Sequence, residues 1–347
     1  MPDLPQTVRI REVGPRDGFQ NEPEVIATDD KVRLIDALVR TGLERIEATS
    51  FVRPDVIPQL ADADEVLARI DVPDDVSVSV LIPNERGLDN ALRSRERFQE
   101  INVFLSASET HNRKNVNRSI AESLAGLEAV LRRARDEGLR CEGVISVAFG
   151  CPYEGHVPPQ RVLDIAGALV DAGAQEIGFG DTTGMANPRQ VRAFFEQARE
   201  ALGAEVELTA HFHNTRGQGL ANVLAALEAG VESFESSFGE LGGCPVPAGA
   251  QEIGFGDTTG MANPAQVRDF FPAARDALGD ATELTAHFHN TRGQGLANVL
   301  AALDAGIDSF EASFGELGGC PVPRGATGNI ATADKVRLID LLARTGL

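Results

Sequence analysis

The chain has 347 residues, and its 42% hydrophobic and 24% charged residues are typical of a globular protein rather than of a disordered or collagen-like chain. A formal net charge of −20 argues against general binding to nucleic acid or to an anionic membrane. No apolar run approaches the ~18 residues of a membrane span, and the first residues lack a leader pattern, so we expect a soluble, cytoplasmic protein. Four cysteines in a chain this long do not form a disulfide framework.

Short apolar runs alternate with helical patterns along the first half of the chain. The runs predict strands over 8–13, 45–49, 76–81, 101–105 and 143–148. Apolar residues at helical spacing predict helices over 30–40 and 120–135. This alternation indicates a parallel sheet whose strands are connected by helices.

An internal repeat occupies most of the second half. Residues 175–250 recur at 251–326, and 63 of the 76 positions are identical. The first copy predicts strands over 176–179, 208–212 and 233–238, with helices over 189–202 and 219–229 between them. The five earlier strands and these three make eight, and removing one copy leaves 347 − 76 = 271 residues. That length is close to the ~250 residues of a (β/α)8 barrel.

We therefore predict an α/β fold, a (β/α)8 TIM barrel formed as one domain over 1–347. The duplicated segment, which carries the sixth to eighth strands, cannot all fit in one barrel. We expect one copy to be extruded or swapped between chains.

Polar clusters follow the predicted strand ends, which is the face where barrels carry their chemistry. A His-x-His pair stands at His211 and His213 and again at His287 and His289. Alternate residues of a strand point to one face, so such a pair can hold a metal ion, although it can also be two polar residues at a strand end. Asp17, after the first strand, either caps a turn or completes a site suited to Mg²⁺ or Mn²⁺.

Two further motifs occur once in each copy. Gly-Gly-Cys-Pro places Cys244 and Cys320 in flexible loops, where a thiol is either a proton donor or inert. Asp-Thr-Thr-Gly contains Asp181 and Asp257, for which helix capping is the alternative to a chemical role.

Three basic residues follow the fourth predicted strand: Arg113, Lys114 and Arg118. They are candidates for binding the phosphates of a ligand. The alternative is a solvated basic turn.

The motifs taken together are more specific than any one of them. EVGPRDGFQ, IEATSF, GCPYEG, GDTTG, HFHNTRGQGLAN and GELGGCPVPRGATGNIAT occur in the order found in the 3-hydroxy-3-methylglutaryl-CoA (HMG-CoA) lyase family, which this chain resembles from residue 8 to 332. The resemblance implies a TIM barrel that uses Mg²⁺ or Mn²⁺ to split HMG-CoA into acetyl-CoA and acetoacetate, as in leucine catabolism. It also implies an acyl-CoA substrate, and we expect a homodimer.

The resemblance implies roles for individual residues. The implied metal ligands are Asp17, the two histidines of one copy, and Asn329. Arg16 corresponds to the catalytic arginine and Glu47 to the acidic residue that holds the site together. The proton-handling aspartate would be Asp181 or Asp257, and the loop cysteine would be Cys244 or Cys320.

Sequence alone favours the second copy as the working one. Asn329 lies nine residues after Cys320 in an intact loop, whereas Ile253, which cannot bind a cation, lies nine residues after Cys244. Two other function classes stay open: a condensing relative of the isopropylmalate or homocitrate synthase kind, and a misassembled barrel without activity, for which the duplication is the argument.

Overall fold

The computed structural model describes residues 4–242, 252–257, 261–278, 283–290 and 293–311. The chain divides into two compact units, Met1–Pro247 and Ala248–Leu347. In the part of the chain that the structure describes, no helix is long and apolar enough to cross a membrane.

Eight parallel strands close a barrel in the first unit. They follow one another around it in chain order, and the last pairs with the first. The strands are β1 (Arg9–Glu12), β2 (Arg45–Ser50), β3 (Ser77–Leu81), β4 (Glu100–Ser106), β5 (Arg140–Ser146), β6 (Glu176–Asp181), β7 (Glu207–Phe212) and β8 (Ser233–Ser236). The predicted (β/α)8 fold is confirmed.

The helices of this unit lie between the strands in sequence. They are α1 (Thr28–Leu38), α2 (Ala63–Arg69), α3 (Glu85–Ala91), α4 (Glu109–Val116), α5 (Ile120–Asp136), α6 (Pro159–Ala172), α7 (Pro188–Leu202) and α8 (Gly219–Glu228). Local sequence explains where these helices begin and end. For example, α5 begins at a capping box in which Ser119 and Glu122 each accept a hydrogen bond from the other's main-chain N–H. Likewise α6 ends at Gly173, whose φ of 117° few other residues adopt.

Each strand alternates apolar and polar residues, and the two sets have different surroundings. In β4, Ile101 and Val103 belong to one apolar core with Leu127 and Leu131 of α5. Asn102, between them, instead bonds to a polar side chain of β2. The hydrophobic core therefore lies between the strands and the helices, and polar side chains fill the barrel interior.

The first copy of the repeat, not the second, supplies β6 to β8, which corrects our expectation from the loop sequence. β8 pairs with β1 over four residues, from Arg9↔Ser233 to Glu12↔Ser236. The length of the connection gives a physical reason. Using the second copy would lengthen the connection after β5 by 76 residues. That is less than two doublings of its length, and it costs about 1 kcal/mol of closure entropy. Pro272, which stands where α7 has Glu196, does not decide the choice, because α9 forms with this proline inside it.

The second unit repeats the arrangement of β6 to β8 on a smaller scale. It contains β9 (Glu252–Asp257), α9 (Pro264–Leu278), β10 (Glu283–Phe288), α10 (Gly295–Asp304) and β11 (Ser309–Phe310). The strands are parallel in the order β11-β10-β9. Val267, Phe271, Leu284 and Val299 are buried together between this sheet and its helices.

Aromatic packing differs between the two copies. In the barrel, Phe149 packs against Phe194 and Phe212 with ring centroids 5.1 and 5.9 Å away. The corresponding residues of the second copy, Phe270 and Phe288, line a cavity of about 300 Å³. Phe270 is 46% exposed. Phe149 thus completes an aromatic cluster that the second copy leaves open.

We predict that Phe149→Ala destabilises the barrel by about 3–5 kcal/mol, because it removes a buried ring from a packed cluster. Urea denaturation followed by circular dichroism measures this loss. Phe270→Ala is the matched control, and its half-exposed ring should contribute less than about 1 kcal/mol. Equal losses in the two variants would contradict the prediction.

Candidate active site

Three candidate metal ligands meet at the carboxyl ends of the barrel strands. Asp17 lies in one wide helical turn, Gly14–Gly18, directly after β1. His211 is in β7, and His213 follows that strand. One ligand atom from each of the three residues lies within 4.8 Å of the others. The structure therefore contains a candidate metal site, and the histidines in it are those of the first copy.

Hydrogen bonds orient both imidazoles toward this site. His211 Nδ1 lies 2.7 Å from Glu235 Oε2, and His213 Nδ1 lies 2.9 Å from the main-chain oxygen of Asp181. A carboxylate and a carbonyl only accept, so both Nδ1 atoms carry a proton, and each ring in its neutral form presents the lone pair of Nε2. Such outer hydrogen bonds are typical of metal-binding histidines.

The electrostatics differ between the two histidines. Burial alone would lower the pKa of His211, but the hydrogen bond and the charge of Glu235 outweigh burial and raise that pKa, so a bound cation would take the place of a proton there. Burial would raise the pKa of Glu235, but the hydrogen bond from His211 and nearby positive charges lower it to about 2. Glu235 is therefore an ionised acceptor. Burial lowers the pKa of His213 to about 4, which keeps that ring neutral, as a ligand must be. One carboxylate oxygen with two imidazole nitrogens is a donor set that fits a divalent cation.

Arg16 is fixed beside Asp17 by carboxylates on two sides. Its Nη1 donates to Asp17 Oδ1 and its Nε to Glu47 Oε2, both at 2.7 Å. Glu47 is fully buried and also accepts a 3.0 Å hydrogen bond from Asn102. Burial alone would lower the pKa of Arg16, but the two carboxylates outweigh it and hold that pKa above its ordinary value. The guanidinium is charged and rigidly placed.

Asp181, at the end of β6, has the capping role that was one of the two readings of its motif. Its Oδ1 accepts from the main-chain nitrogens of Met185 and Ala186 at 2.8 and 3.0 Å. Its Oδ2 is buried and has no hydrogen-bond partner among the described residues. Burial raises the pKa of this carboxyl to about 6. A carboxyl with such a pKa can take up and release a proton near neutral pH.

The three basic residues are exposed around the end of α4, which follows β4. Lys114 Nζ lies 4.4 Å from the centroid of the Tyr153 ring. Arg113 Nε lies 3.8 Å from a carboxylate oxygen of Glu109, and Arg118 comes after the helix. Neither contact buries the charges, so these side chains stay available to a solvent-borne anion.

The other predicted site residues lie elsewhere. His287 and His289 are in and just after β10 of the second unit, and Asp257 ends β9, where its Oδ1 accepts from the main-chain nitrogen of Met261. Among the described residues, the carboxylate of Asp17 groups only with the first histidine pair. Three predicted residues lie outside the described residues: Cys244, Cys320 and Asn329.

Comparison with known proteins places this site in a family. The HMGL-like family model matches residues 7–245 and 240–344. The chain is 48% identical over 246 residues to the hydroxymethylglutaryl-CoA lyase YngG of Bacillus subtilis, covering 71% of this chain and 81% of that protein. This chain belongs to the HMGL-like family. It is a carbon–carbon lyase of the HMG-CoA lyase type.

Two other comparisons concern the ligands of such lyases. An HMG-CoA lyase from Acinetobacter baumannii, solved in complex with coenzyme A and 3-methylmalate, matches with a TM-score of 0.53 and 32% identity. That match covers 97% of this chain and 84% of the other. A 3-hydroxy-3-isohexenylglutaryl-CoA/hydroxymethylglutaryl-CoA lyase from Pseudomonas aeruginosa is 43% identical over 248 residues, 72% of this chain and 82% of that protein.

Sequence reasoning missed three residues that support this lyase site. Glu235 orients His211, and Asn102 holds Glu47. Glu12 Oε1 accepts from the main-chain nitrogens of Gly14 and Phe238, which ties the loop after β1 to the residues after β8. Asn102 lies between the apolar residues Ile101 and Val103, and that alternation was an available signal for a side chain that points into the barrel. Glu12 and Glu235 each have a polar neighbour in the sequence, so alternation did not mark them.

We predict that Glu235→Gln weakens Mn²⁺ binding about 10- to 100-fold, because an amide orients His211 less firmly than a carboxylate. Titration with Mn²⁺ followed by electron paramagnetic resonance measures the affinity. Glu311→Gln, the same change at the equivalent position of the second copy, should leave this affinity unchanged. Equal effects of the two substitutions would refute the role of Glu235.

Proposed function

We propose that this chain cleaves HMG-CoA to acetyl-CoA and acetoacetate with Mg²⁺ or Mn²⁺ held by Asp17, His211 and His213. The observation that carries the proposal is that a carboxylate after β1 and two imidazoles at the end of β7 converge, with one ligand atom of each residue within 4.8 Å of the others. Membership of a family whose named relatives are HMG-CoA lyases supports it.

The reaction needs three things that the residues of this site can supply. A base must take the proton of the tertiary hydroxyl, negative charge must be tolerated on the thioester oxygen as the carbon–carbon bond breaks, and the resulting enolate must be protonated. A bound divalent cation would supply positive charge at the substrate hydroxyl. Asp181, with its raised pKa and a buried oxygen that has no hydrogen-bond partner among the described residues, is suited to accept the hydroxyl proton. Arg16 would stabilise the enolate oxygen.

One more residue is proposed for this site from outside the described part of the chain: Cys244, as the acid that protonates the enolate. A thiol in a loop suits that role because it can approach the carbon after the bond has broken. The roles that the resemblance implies for Asn329 and Cys320, which belong to the second unit, stay predictions.

The phosphates of coenzyme A are proposed to bind Arg113, Lys114 and Arg118. These three cations are exposed, and α4, around whose end they cluster, follows β4 at the carboxyl ends of the strands. They offer positive charge in a chain whose formal net charge is −20. The A. baumannii lyase shows that a relative binds coenzyme A.

A longer 3-hydroxy-3-alkylglutaryl-CoA is the second candidate substrate. The P. aeruginosa relative carries such a substrate in its name. We further propose that the chain acts as a cytoplasmic homodimer and that the second copy is extruded from the barrel. Other relatives include enzymes named cytoplasmic and mitochondrial.

We predict that Asp17→Ala abolishes both Mn²⁺ binding and acetoacetate formation, because it removes the only carboxylate among the three grouped ligands. An assay of the purified chain with HMG-CoA and Mn²⁺ measures turnover, and titration measures binding. Asp17→Asn, which keeps the shape but loses the charge, should show the same loss. Unchanged Mn²⁺ affinity in both variants would remove Asp17 from the site.

Arg16→Lys should lower turnover by about 10²-fold or more, because lysine keeps the charge but cannot reproduce the planar fork that stabilises an oxyanion. The melting temperature should change little. Arg69→Lys is the control, since Arg69 is an arginine of α2 that pairs with Asp29 and Glu65 on the surface. Near-normal turnover of Arg16→Lys would exclude the proposed role.

A further inference from the structure

The second unit contains a histidine pair with the same internal geometry as the pair in the barrel. His287 Nδ1 lies 2.8 Å from Glu311 Oε2, and His289 Nδ1 lies 2.9 Å from the main-chain oxygen of Asp257. Both partners are acceptors, so both Nδ1 atoms carry the proton. The two Nε2 atoms face each other 3.4 Å apart, a contact in which a proton on one of them would be shared with the other.

That separation matches the geometry of a shared metal ion. A tetrahedral Zn²⁺ with Zn–N bonds of ~2.0–2.1 Å keeps two nitrogen ligands about 3.3–3.4 Å apart. A cation between the two Nε2 atoms would take the place of a shared proton and be bound by both rings. His289 is buried and His287 is partly exposed, so the pair is anchored in the sheet and reached by solvent on one side.

We propose that His287 and His289 form a second cation site, separate from the lyase chemistry, which binds Zn²⁺ and similar imidazole-preferring ions rather than Mg²⁺ or Mn²⁺. The barrel site has the carboxylate of Asp17, whereas the described residues of the second unit group no carboxylate ligand with its histidines. Hard cations need oxygen ligands, while zinc accepts neutral imidazoles. Solvent would fill the remaining positions of the ion.

The test measures the number of Zn²⁺ ions bound by variants of the full chain. His211→Ala/His213→Ala removes the pair of the barrel, and adding His287→Ala/His289→Ala removes both pairs. Both variants keep the same cysteines and the same two other histidines, so their difference isolates the proposed site. We expect the double variant to bind one more Zn²⁺ than the quadruple variant in calorimetric titration, and neither to bind Mn²⁺ with comparable affinity.

Equal Zn²⁺ stoichiometry in the two variants would overturn the proposal, as would Mn²⁺ binding as tightly as Zn²⁺ in the double variant. Circular dichroism checks that both variants fold. His287→Gln/His289→Gln, in place of the alanine pair, keeps polar side chains in the sheet and gives the same comparison if alanine disturbs β10. Because lyase activity is not the readout, failure here is distinct from failure of the proposed lyase reaction.

Discussion

The buried guanidinium of Arg11 is the interaction on which the barrel interior depends. Arg11 comes from β1, and its side chain is fully enclosed. It pairs with Glu100, Glu176 and Glu235 at 3.1–3.2 Å and also with Glu142, so it joins four other strands. Burial would lower the pKa of Arg11, but these carboxylates outweigh it and raise that pKa well above its ordinary value. Removing one partner from such a network leaves a buried charge uncompensated, which typically costs 3–5 kcal/mol.

This network also sets the electrostatics of the candidate metal site above it. Glu235 bonds Arg11 on one side and His211 on the other, so the imidazole is aligned by the same ion pair that closes the barrel. Burial raises the pKa of Glu142, whereas the charges of Arg11 and Arg45 outweigh burial at Glu176 and lower its pKa to about 2. Within this network, Glu235 is the ionised carboxylate that lies against the candidate metal site. Fold and site therefore rest on the same charged side chains.

The order of strands was readable from the sequence, because apolar runs and turn motifs are local signals. The helices predicted over 120–135 and 219–229 lie within one residue of α5 and α8 at both ends. Asp17 and the first histidine pair were readable from their motifs. The partnership of Glu235 with Arg11 was not, since it joins residues 224 positions apart and exists only after closure. The copy that closes the barrel was predicted wrongly from the loop after Cys320, whereas the shorter connection from β5 to the first copy was the better physical signal.

The repeat shows which features of the site a three-stranded segment forms by itself and which features require the closed barrel. In both copies, the first histidine donates through Nδ1 to the glutamate 24 residues later. The second histidine donates through Nδ1 to the main-chain oxygen of the aspartate in the Asp-Thr-Thr-Gly motif. The histidine pair and its orientation are thus local properties of about 76 residues. Arg16 and Asp17 follow β1 and Glu47 lies in β2, and among the described residues Asp17 groups with the histidines of the copy whose last strand pairs with β1. The proposed lyase chemistry needs a hard cation beside a fixed guanidinium, so it depends on closure of the barrel as well as on the local histidine motif.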